Sequence, residues 1–311
     1  MLNRCPVRWK TRKERMAIGL EVLTRLRERQ ILTEGRKMRP GGKRLILTII
    51  AASLSLLFLV PLLWMVSTSL KTESEVFATV FQWIPPVPQW MDYPNALAYF
   101  PFWRDCLNTL IIAIPSAIGT LLSSSFVAYG FANLRWKGRE SVFLVVLSHM
   151  MIPTWVTLIP LYVIYVQIHW INTFLPLIIP NFFGGAFNIF LLRQFYLRQP
   201  ASLLDAARMD GASEFRIYWQ IILPLTRPAL AVIALFSLVG SWTDFFGPLI
   251  YLSNPHKYTL MLGLAAFQEE HLTVWPMLMA ASIMVVFPLL VLFFFTQRQF
   301  TEGLHFSGIS G

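Results

Sequence analysis

The sequence predicts an all-α membrane protein with six transmembrane helices. Of its 311 residues, 56% are hydrophobic and only 14% are charged, and the mean hydropathy is +0.57. This composition excludes an ordinary soluble domain. Six apolar stretches are each long enough to cross roughly 30 Å of hydrocarbon as a helix. They lie at about residues 45–65, 107–131, 142–164, 174–192, 228–250 and 274–295.

A strongly basic segment precedes the first apolar stretch. Residues 1–44 carry 14 Lys or Arg against 4 Glu, which accounts for the whole formal net charge of +10. A nucleic-acid-binding arm would be basic in the same way, but a cytoplasmic flank before a transmembrane helix explains the position better. We expect no cleavable signal peptide, because the first apolar stretch is too long for an h-region and further spans follow it.

The basic residues also set the predicted orientation. With the N-terminus inside, 23 of the 26 Lys and Arg residues fall in cytoplasmic segments, and only Lys71, Arg104 and Lys257 fall outside. Cytoplasmic loops carry such an excess under the positive-inside rule. Both termini and the segment between the fourth and fifth helices are therefore predicted to be cytoplasmic.

The third and fourth helices come from a run without charge. Residues 141–192 contain no Asp, Glu, Lys or Arg, and they can hold two helices joined by a turn at 169–173. Four prolines are expected to kink these helices: Pro153, Pro160, Pro176 and Pro180.

Three polar side chains within the predicted spans are candidates for a substrate pathway. His149 lies in the third span, Asn188 in the fourth, and Asp244 toward the outer end of the fifth. Ionisable residues inside a membrane are functional candidates by default. As alternatives, His149 would be a hydrogen-bonded packing residue, and Asp244 would be solvated near the outer interface.

Two predicted outer loops are long. The tryptophans of residues 67–106 fit an interfacial aromatic belt better than a recognition surface. Residues 251–273 connect packed helices, and a loop of that length is often functional.

The segment between the fourth and fifth predicted helices, residues 202–228, is polar and helix-forming. Ser202 and Asp205 have the spacing of a capping box, which predicts a helix that starts at Ser202. The apolar residues that recur at helical spacing along it are Leu203, Ala206 and Ala207. An ordinary amphipathic surface helix would show the same pattern. Because a connecting loop needs only to be soluble, the patterning indicates a surface for another protein.

A turn and a second short helix are predicted next. Asp210-Gly211 is a turn signal, and Gly211 can take the left-handed conformation that ends a helix. Ser213 can start a second short helix that carries Phe215, Tyr218 and Trp219. Prolines that can bend or restart the chain follow at Pro224 and Pro228.

This segment resembles the EAA motif of ABC importer permeases, roughly E-A-A-x-x-D-G-A followed by an aromatic residue, an isoleucine and two prolines. The matching residues are Asp205-Ala206-Ala207, Asp210-Gly211-Ala212, Trp219, Ile222, Pro224 and Pro228. Asp205 replaces the usual Glu and keeps the carboxylate. In that family the segment is the coupling helix, which sits in a groove of the cytoplasmic ATPase subunit. The resemblance therefore implies ATPase coupling by Asp205, Ala206, Ala207, Asp210, Gly211, Ala212, Phe215 and Trp219.

The resemblance covers about residues 45–302 and points to the carbohydrate-importer branch, the maltose-type inner-membrane subunits. Further residues that carry it are Met151-Ile152-Pro153, Pro160-Leu161-Tyr162, the run FLLRQF at 190–195, Trp242-Thr243-Asp244-Phe245, Pro248-Leu249 and Tyr258-Thr259-Leu260. The branch usually has Asn where Thr243 stands. The resemblance implies a type I ABC importer permease fold in the inner (plasma) membrane and a role in sugar import.

The same resemblance implies the partners. They are a second homologous permease subunit, two cytoplasmic ATP-binding subunits, an extracytoplasmic solute-binding protein and the lipid bilayer, with no nucleic acid. The binding protein is expected to contact the outer loop at Asn254, Lys257 and Gln268. The sequence has no Walker A pattern, so ATP hydrolysis is assigned to the partner subunits and the chain is not expected to be an enzyme. No cofactor and no metal site are expected.

Other classes fit less well. A permease for another small solute, such as a polyol or glycerol-phosphate, would share the coupling motif. A self-sufficient secondary transporter would usually show more spans, internal repeats and carboxylates at the midplane. A membrane enzyme would need convergent catalytic groups, and the sequence shows none.

The predicted organisation has five parts. They are a basic cytoplasmic segment at 1–43, a first transmembrane helix at 44–66, an outer loop at 67–106, a permease core at 107–298 with coupling helices at 202–219, and a cytoplasmic tail at 299–311. Residues 1–37 are expected to be dispensable for transport, because the basic residues after Met38 could set the orientation alone. Met16, Leu20 and Leu23 could instead form a helix on the anionic inner leaflet, or translation could start at Met38.

Overall fold

The computed structural model describes residues 42–80, 82–268 and 274–305, and within these ranges all regular structure is helical. The chain divides into two compact units, Met1–Leu62 and Leu63–Gly311. The expectations for residues 1–37 lie outside the described residues.

The first helix, α1 (Gly42–Thr68), begins in one unit and ends in the other. Its stretch Leu45–Thr68 has 24 residues and a mean hydropathy of 2.6. A helix of that length is about 36 Å long and crosses a bilayer. The first predicted span is therefore one continuous helix.

The second unit contains the remaining helices. They are α2 (Glu73–Val76), α3 (Asp92–Tyr99), α4 (Phe102–Ala132), α5 (Arg139–Ser148), α6 (Thr154–Gln167), α7 (Leu175–Ile178), α8 (Ala186–Leu197), α9 (Ala201–Met209), α10 (Glu214–Ile217), α11 (Leu223–Leu225), α12 (Arg227–Trp242), α13 (Phe246–Tyr251), α14 (Leu260–Ala265) and α15 (Trp275–His305). Short 3-10 turns follow α5, α7 and α14, and a π-helical turn, Tyr218–Ile222, follows α10.

Four of the described helical stretches are long and apolar enough to cross a membrane, and the number is six if each of two bent pairs forms one span. The four are Leu45–Thr68, Phe102–Ala132, Leu175–Leu197 and Trp275–Gln297. The bent pairs are Arg139–Met151 with Thr154–Gln167, and Glu214–Leu225 with Arg227–Trp242. These four to six spans correspond in order to the six predicted apolar stretches.

The third predicted span is not one straight helix. The axes of α5 and α6 differ by 95°, and the 3-10 turn His149–Met151 lies at the break. Pro153 caps the start of α6, and Ile152 before it is extended, with φ −81° and ψ 117°. A proline lacks an N–H donor and disfavours a helical conformation in the residue before it, so it interrupts the helix here.

The fifth predicted span also differs from a single helix over 228–250. It begins with Pro228 in the first turn of α12, after a bend of 79°, and α12 ends at Trp242. Asp244 then accepts a hydrogen bond from the backbone N–H of Gly247 at 3.1 Å, and α13 starts at Phe246. An Asp side chain that pairs with a nearby backbone N–H competes with a continuous helix.

Helix α4 is the centre of the second unit and packs against α8 and α12. Small buried residues on α4 permit this close approach. At Gly119, an added Cβ would lie 2.5 Å from the ring of Phe182, so a larger residue would displace that ring. Two apolar clusters form around α4, one near Tyr129 and the other near Phe100.

Candidate functional site

The segment between α8 and α12 folds as two short helices joined by a tight turn. Helix α9 begins at Ala201 with Pro200 as its N-cap residue, at φ −59° and ψ 120°. The predicted capping box is therefore wrong, because Ser202 already lies inside the first turn. Proline fixes φ near the helical value and lacks an N–H that would need a partner, so the N-cap is Pro200, two residues before the Ser202 that the capping box predicts.

The end of α9 has the predicted left-handed glycine. Gly211 has φ +79°. Its N–H donates to the Arg208 carbonyl at 3.0 Å, and the Ala212 N–H donates to the Ala207 carbonyl at 3.0 Å. This pair of bonds is the Schellman arrangement that ends a helix. The predicted second helix follows, with the Ser213 side chain accepting from the Arg216 N–H at 3.3 Å.

The two helices of this segment have distinct inner and outer faces. Leu204 is buried, and Ala207 and Ala212 pack against the core cluster near Tyr129. Of the predicted apolar face, Leu203 and Ala206 are exposed on the outer side, and Leu204 is the leucine that lies on the inner side. Simple helical spacing did not determine which of two adjacent leucines faces the core.

The outer face exposes large apolar side chains. Phe215 is 65% exposed and Trp219 is 56% exposed, and their rings stack with centroids 6.4 Å apart. Met209, Asp205, Asp210 and Gly211 of the same segment are also exposed. Contiguous exposed apolar side chains mark interaction surfaces.

Charged groups tie the two short helices to each other and to α4. Arg208 donates to Glu214 Oε1 at 2.8 Å and to Asp205 Oδ1 at 3.0 Å. Glu214 Oε2 accepts from the Tyr129 hydroxyl at 2.6 Å. The hydrogen bond to Glu214 raises the pKa of Arg208 above its usual value, so this pair stays ionised. Sequence reasoning missed Tyr129, because the two partners of that bond are 85 positions apart.

A polar cavity of about 350 Å³ lies between α4, α8, α12 and the chain that follows α7. Two of the predicted pathway residues, Asn188 and Asp244, line it together. The other lining residues are Ile112, Thr120, Leu177, Asn181, Phe236, Ser237, Gly240 and Ser241. Sequence reasoning missed the serines and threonine, since such residues in a span are usually explained by helix packing.

His149 is not among the residues that line this cavity. It lies on the exposed 3-10 turn between α5 and α6, where the chain bends. The structure therefore brings Asn188 and Asp244 together in this cavity but does not place His149 there.

The loop after α13, which the sequence predicts to be on the outer side, is held at two sides. The Asn172 side chain accepts from the Asn254 N–H at 3.0 Å, and the Asn172 carbonyl accepts from the Lys257 ammonium. On the other side, Arg104 donates to the Pro255 carbonyl at 2.8 Å. Asn254 and Lys257 are thus part of an ordered loop, and Gln268 is exposed at the end of the 3-10 turn after α14.

Among the side chains that the structure describes, no group of three or more His, Cys, Asp or Glu is close enough to hold a metal ion. The polar groups of the cavity are hydroxyls, amides and one carboxylate, which suit hydrogen bonding to a neutral polar solute.

Comparison with known proteins decides the family. Residues 121–300 match the family described as the inner membrane component of binding-protein-dependent transport systems. The chain belongs to this family. As an inner membrane component with several apolar helices it is an integral membrane protein, as the sequence predicted, and its curated relatives are transport permease components.

Two relatives and one solved structure show how far the similarity extends. The arabinooligosaccharide transport permease AraQ of Bacillus subtilis is 33% identical, over 86% of this chain and 96% of its own. The lactose transport permease LacG of Rhizobium radiobacter is 30% identical, over 88% of this chain and 98% of its own. A bacterial ABC transporter that imports the acidic polysaccharide alginate has a chain with a TM-score of 0.72 and 22% identity, covering 82% of this chain and 95% of that one. The predicted ABC importer permease fold is confirmed.

Proposed function

We propose that this chain is one permease subunit of an ATP-driven importer, and that it moves a carbohydrate delivered by an extracytoplasmic binding protein. The observation that carries the proposal is the exposed Phe215 and Trp219 face on a segment that is hydrogen-bonded to α4. Family membership supports the proposal, and the carbohydrate relatives favour it over other solutes.

In this proposal, residues 201–219 form a docking segment, made of α9, α10 and the start of the π-helical turn, that binds a cytoplasmic ATP-binding subunit. The stacked Phe215 and Trp219 rings supply an apolar anchor, and aromatic anchors dominate the binding energy of many interfaces. Asp205, Ala206, Asp210 and Gly211 lie on the exposed side around them. Ala207 and Ala212 act from the inner side by holding the two helices against the core.

Energy for transport comes from the partners. The sequence has no phosphate-binding P-loop, so two ATP-binding subunits would hydrolyse ATP and a second permease subunit would complete the pathway. Both termini and the docking segment lie in the cytoplasm in this arrangement, and the loop that contains Asn254, Lys257 and Gln268 faces the binding protein.

The cavity favours a neutral carbohydrate over an anionic solute. Its hydroxyl and amide groups can exchange hydrogen bonds with sugar hydroxyls. None of the residues that line it is Lys or Arg. A phosphate ester is usually bound by Arg or Lys, and the Asp244 carboxylate would repel it. A glycerol-phosphate permease is therefore not favoured.

Retention of the ATP-binding subunits on the purified chain tests the docking face. Trp219→Ala, alone or with Phe215→Ala, is expected to weaken retention about tenfold or more, because truncation of an interface anchor costs about 2 kcal/mol. Trp103→Ala is the matched control, since Trp103 is an exposed tryptophan on the predicted outer side. Equal retention by the Trp219 and Trp103 variants would contradict the docking role.

Uptake kinetics test the cavity. Asn188→Ala and Asp244→Ala are expected to raise the sugar concentration that gives half-maximal transport, because each removes a group that lines the cavity. Asn95→Ala serves as the control, since Asn95 is exposed on α3. A loss of uptake with His149→Ala would extend the pathway to the bend between α5 and α6. Unchanged kinetics in both cavity variants would exclude the cavity from the pathway.

A further inference from the structure

Two hydroxyl groups on one face of α4 hold the docking segment. Ser125 and Tyr129 are four residues apart on a helix and therefore lie on the same side. The Ser125 hydroxyl is 2.7 Å from the Tyr218 hydroxyl, and the Tyr129 hydroxyl donates to Glu214 at 2.6 Å. Ser125 is 2% exposed, and Tyr129 and Tyr218 are each 3% exposed. The Ser125–Tyr218 bond is buried, whereas the Glu214 side chain that accepts from Tyr129 is 41% exposed, and each bond holds the segment against α4.

Hydrogen bonds connect both short helices of the segment to α4. Tyr218 follows α10 directly, so the Ser125 bond holds the C-terminal side of the segment. Glu214 begins α10 and is bonded to Arg208 of α9 at 2.8 Å. Arg208 also donates to the Asn133 carbonyl at the end of α4, at 3.4 Å. A displacement of either short helix therefore pulls on α4.

Helix α4 extends from this contact to the cavity. Thr120 lines the cavity and lies nine residues before Tyr129 on the same continuous helix, about 14 Å along its axis at 1.5 Å per residue. Ser237 on α12 donates to the Thr120 hydroxyl at 3.4 Å across the cavity wall. A rigid helix transmits an axial or tilting displacement over that distance with little loss.

We propose that Ser125 and Tyr129 are positioning residues that make the docking segment and the α4 wall of the cavity move as one body. The inference rests on the proposed function, since it assigns them the transmission of ATP-driven closure to the cavity. Without the two bonds, the ATP-binding subunits would move the docking segment while α4 lags behind, and ATP would be hydrolysed without sugar import. A purely structural role predicts something different, namely less assembled transporter with an unchanged yield of sugar per ATP.

The ratio of sugar imported to ATP hydrolysed separates the two roles. The complete transporter, with both permeases, the ATP-binding subunits and the binding protein, is reconstituted in proteoliposomes with Tyr129→Phe or Ser125→Ala. ATP hydrolysis stimulated by the loaded binding protein is expected to persist. The ratio is expected to fall about fivefold for each variant, the factor by which loss of one buried hydrogen bond typically shifts an equilibrium.

Two further variants complete the test. Tyr162→Phe is the matched control, because the Tyr162 hydroxyl makes no hydrogen bond with the residues that the structure describes, and its ratio should equal that of the wild type. Ser125→Thr keeps a hydroxyl and should restore the ratio lost in Ser125→Ala, a comparison that holds even if Tyr129→Phe fails to assemble. An unchanged ratio in Ser125→Ala, or a loss that Ser125→Thr does not restore, would overturn the proposal. Absence of ATP-driven uptake in the wild-type transporter would instead refute the proposed function.

Discussion

Replacement of Gly211 by valine tests how the shape of the docking segment is maintained. Gly211 has φ +79°, and a Cβ built on it would meet no other atom within 4 Å. The penalty is therefore conformational rather than steric. A left-handed backbone costs an L-residue about 1–2 kcal/mol. For the β-branched valine we expect this conformational cost to reach about 3 kcal/mol. If the backbone relaxes instead, the Gly211 and Ala212 N–H groups lose their bonds to the end of α9.

Whether the backbone strains or relaxes, α10 and the aromatic face formed by Phe215 and Trp219 are displaced. ATP-driven transport should therefore fall while membrane insertion stays normal. The measurement is sugar uptake by reconstituted transporter, together with the amount of ATP-binding subunit that co-purifies. Gly211→Asn is the matched control, because asparagine tolerates the left-handed region several-fold better than other residues. Wild-type uptake and co-purification in Gly211→Val would show that the turn does not position the docking face.

Three other predictions follow from the same account. Reporter fusions after Arg227 should read as cytoplasmic and fusions after Lys257 as external, and the reverse pattern would exclude the proposed orientation. Asp205→Ala should reduce transport less than Gly211→Val, because the Asp205 carboxylate makes only an exposed ion pair with Arg208 in the same helix, worth about 0.5 kcal/mol. A loss of uptake larger than that of Gly211→Val would show that Asp205 contacts the ATP-binding subunit directly. Cross-linkers placed at Asn254 or Gln268 should capture the binding protein when the transporter faces outward, and failure in that state with working controls would mean that the loop is passive.

Some parts of the docking segment were predictable from sequence because their causes are local. Gly211 lies just after the end of α9, where a left-handed residue ends the helix, and Ser213 is the N-cap of the next helix. The start of α9 was predicted wrongly for a local reason as well. A proline and a possible capping box compete for the same helix end, and Pro200 determines it.

The remaining features depend on contacts that a linear pattern does not contain. The bond from Tyr129 to Glu214 joins residues far apart in sequence. Asn188 and Asp244 line one cavity because α8 and α12 both pack against α4. Apolar length predicted the third span and Pro153 predicted a kink in it, but neither pattern gives the 95° angle of the bend. His149 lies at that bend and not among the residues that line the cavity.

ATP-driven uptake into proteoliposomes that contain the complete set of subunits tests the central claim most directly. The proposal predicts that a labelled neutral oligosaccharide accumulates only when ATP, the loaded binding protein, the ATP-binding subunits and this chain are all present. It also predicts that Trp219→Ala in this chain lowers accumulation strongly and that Trp103→Ala does not. Accumulation driven by an ion gradient in the absence of the ATP-binding subunits would contradict the claim.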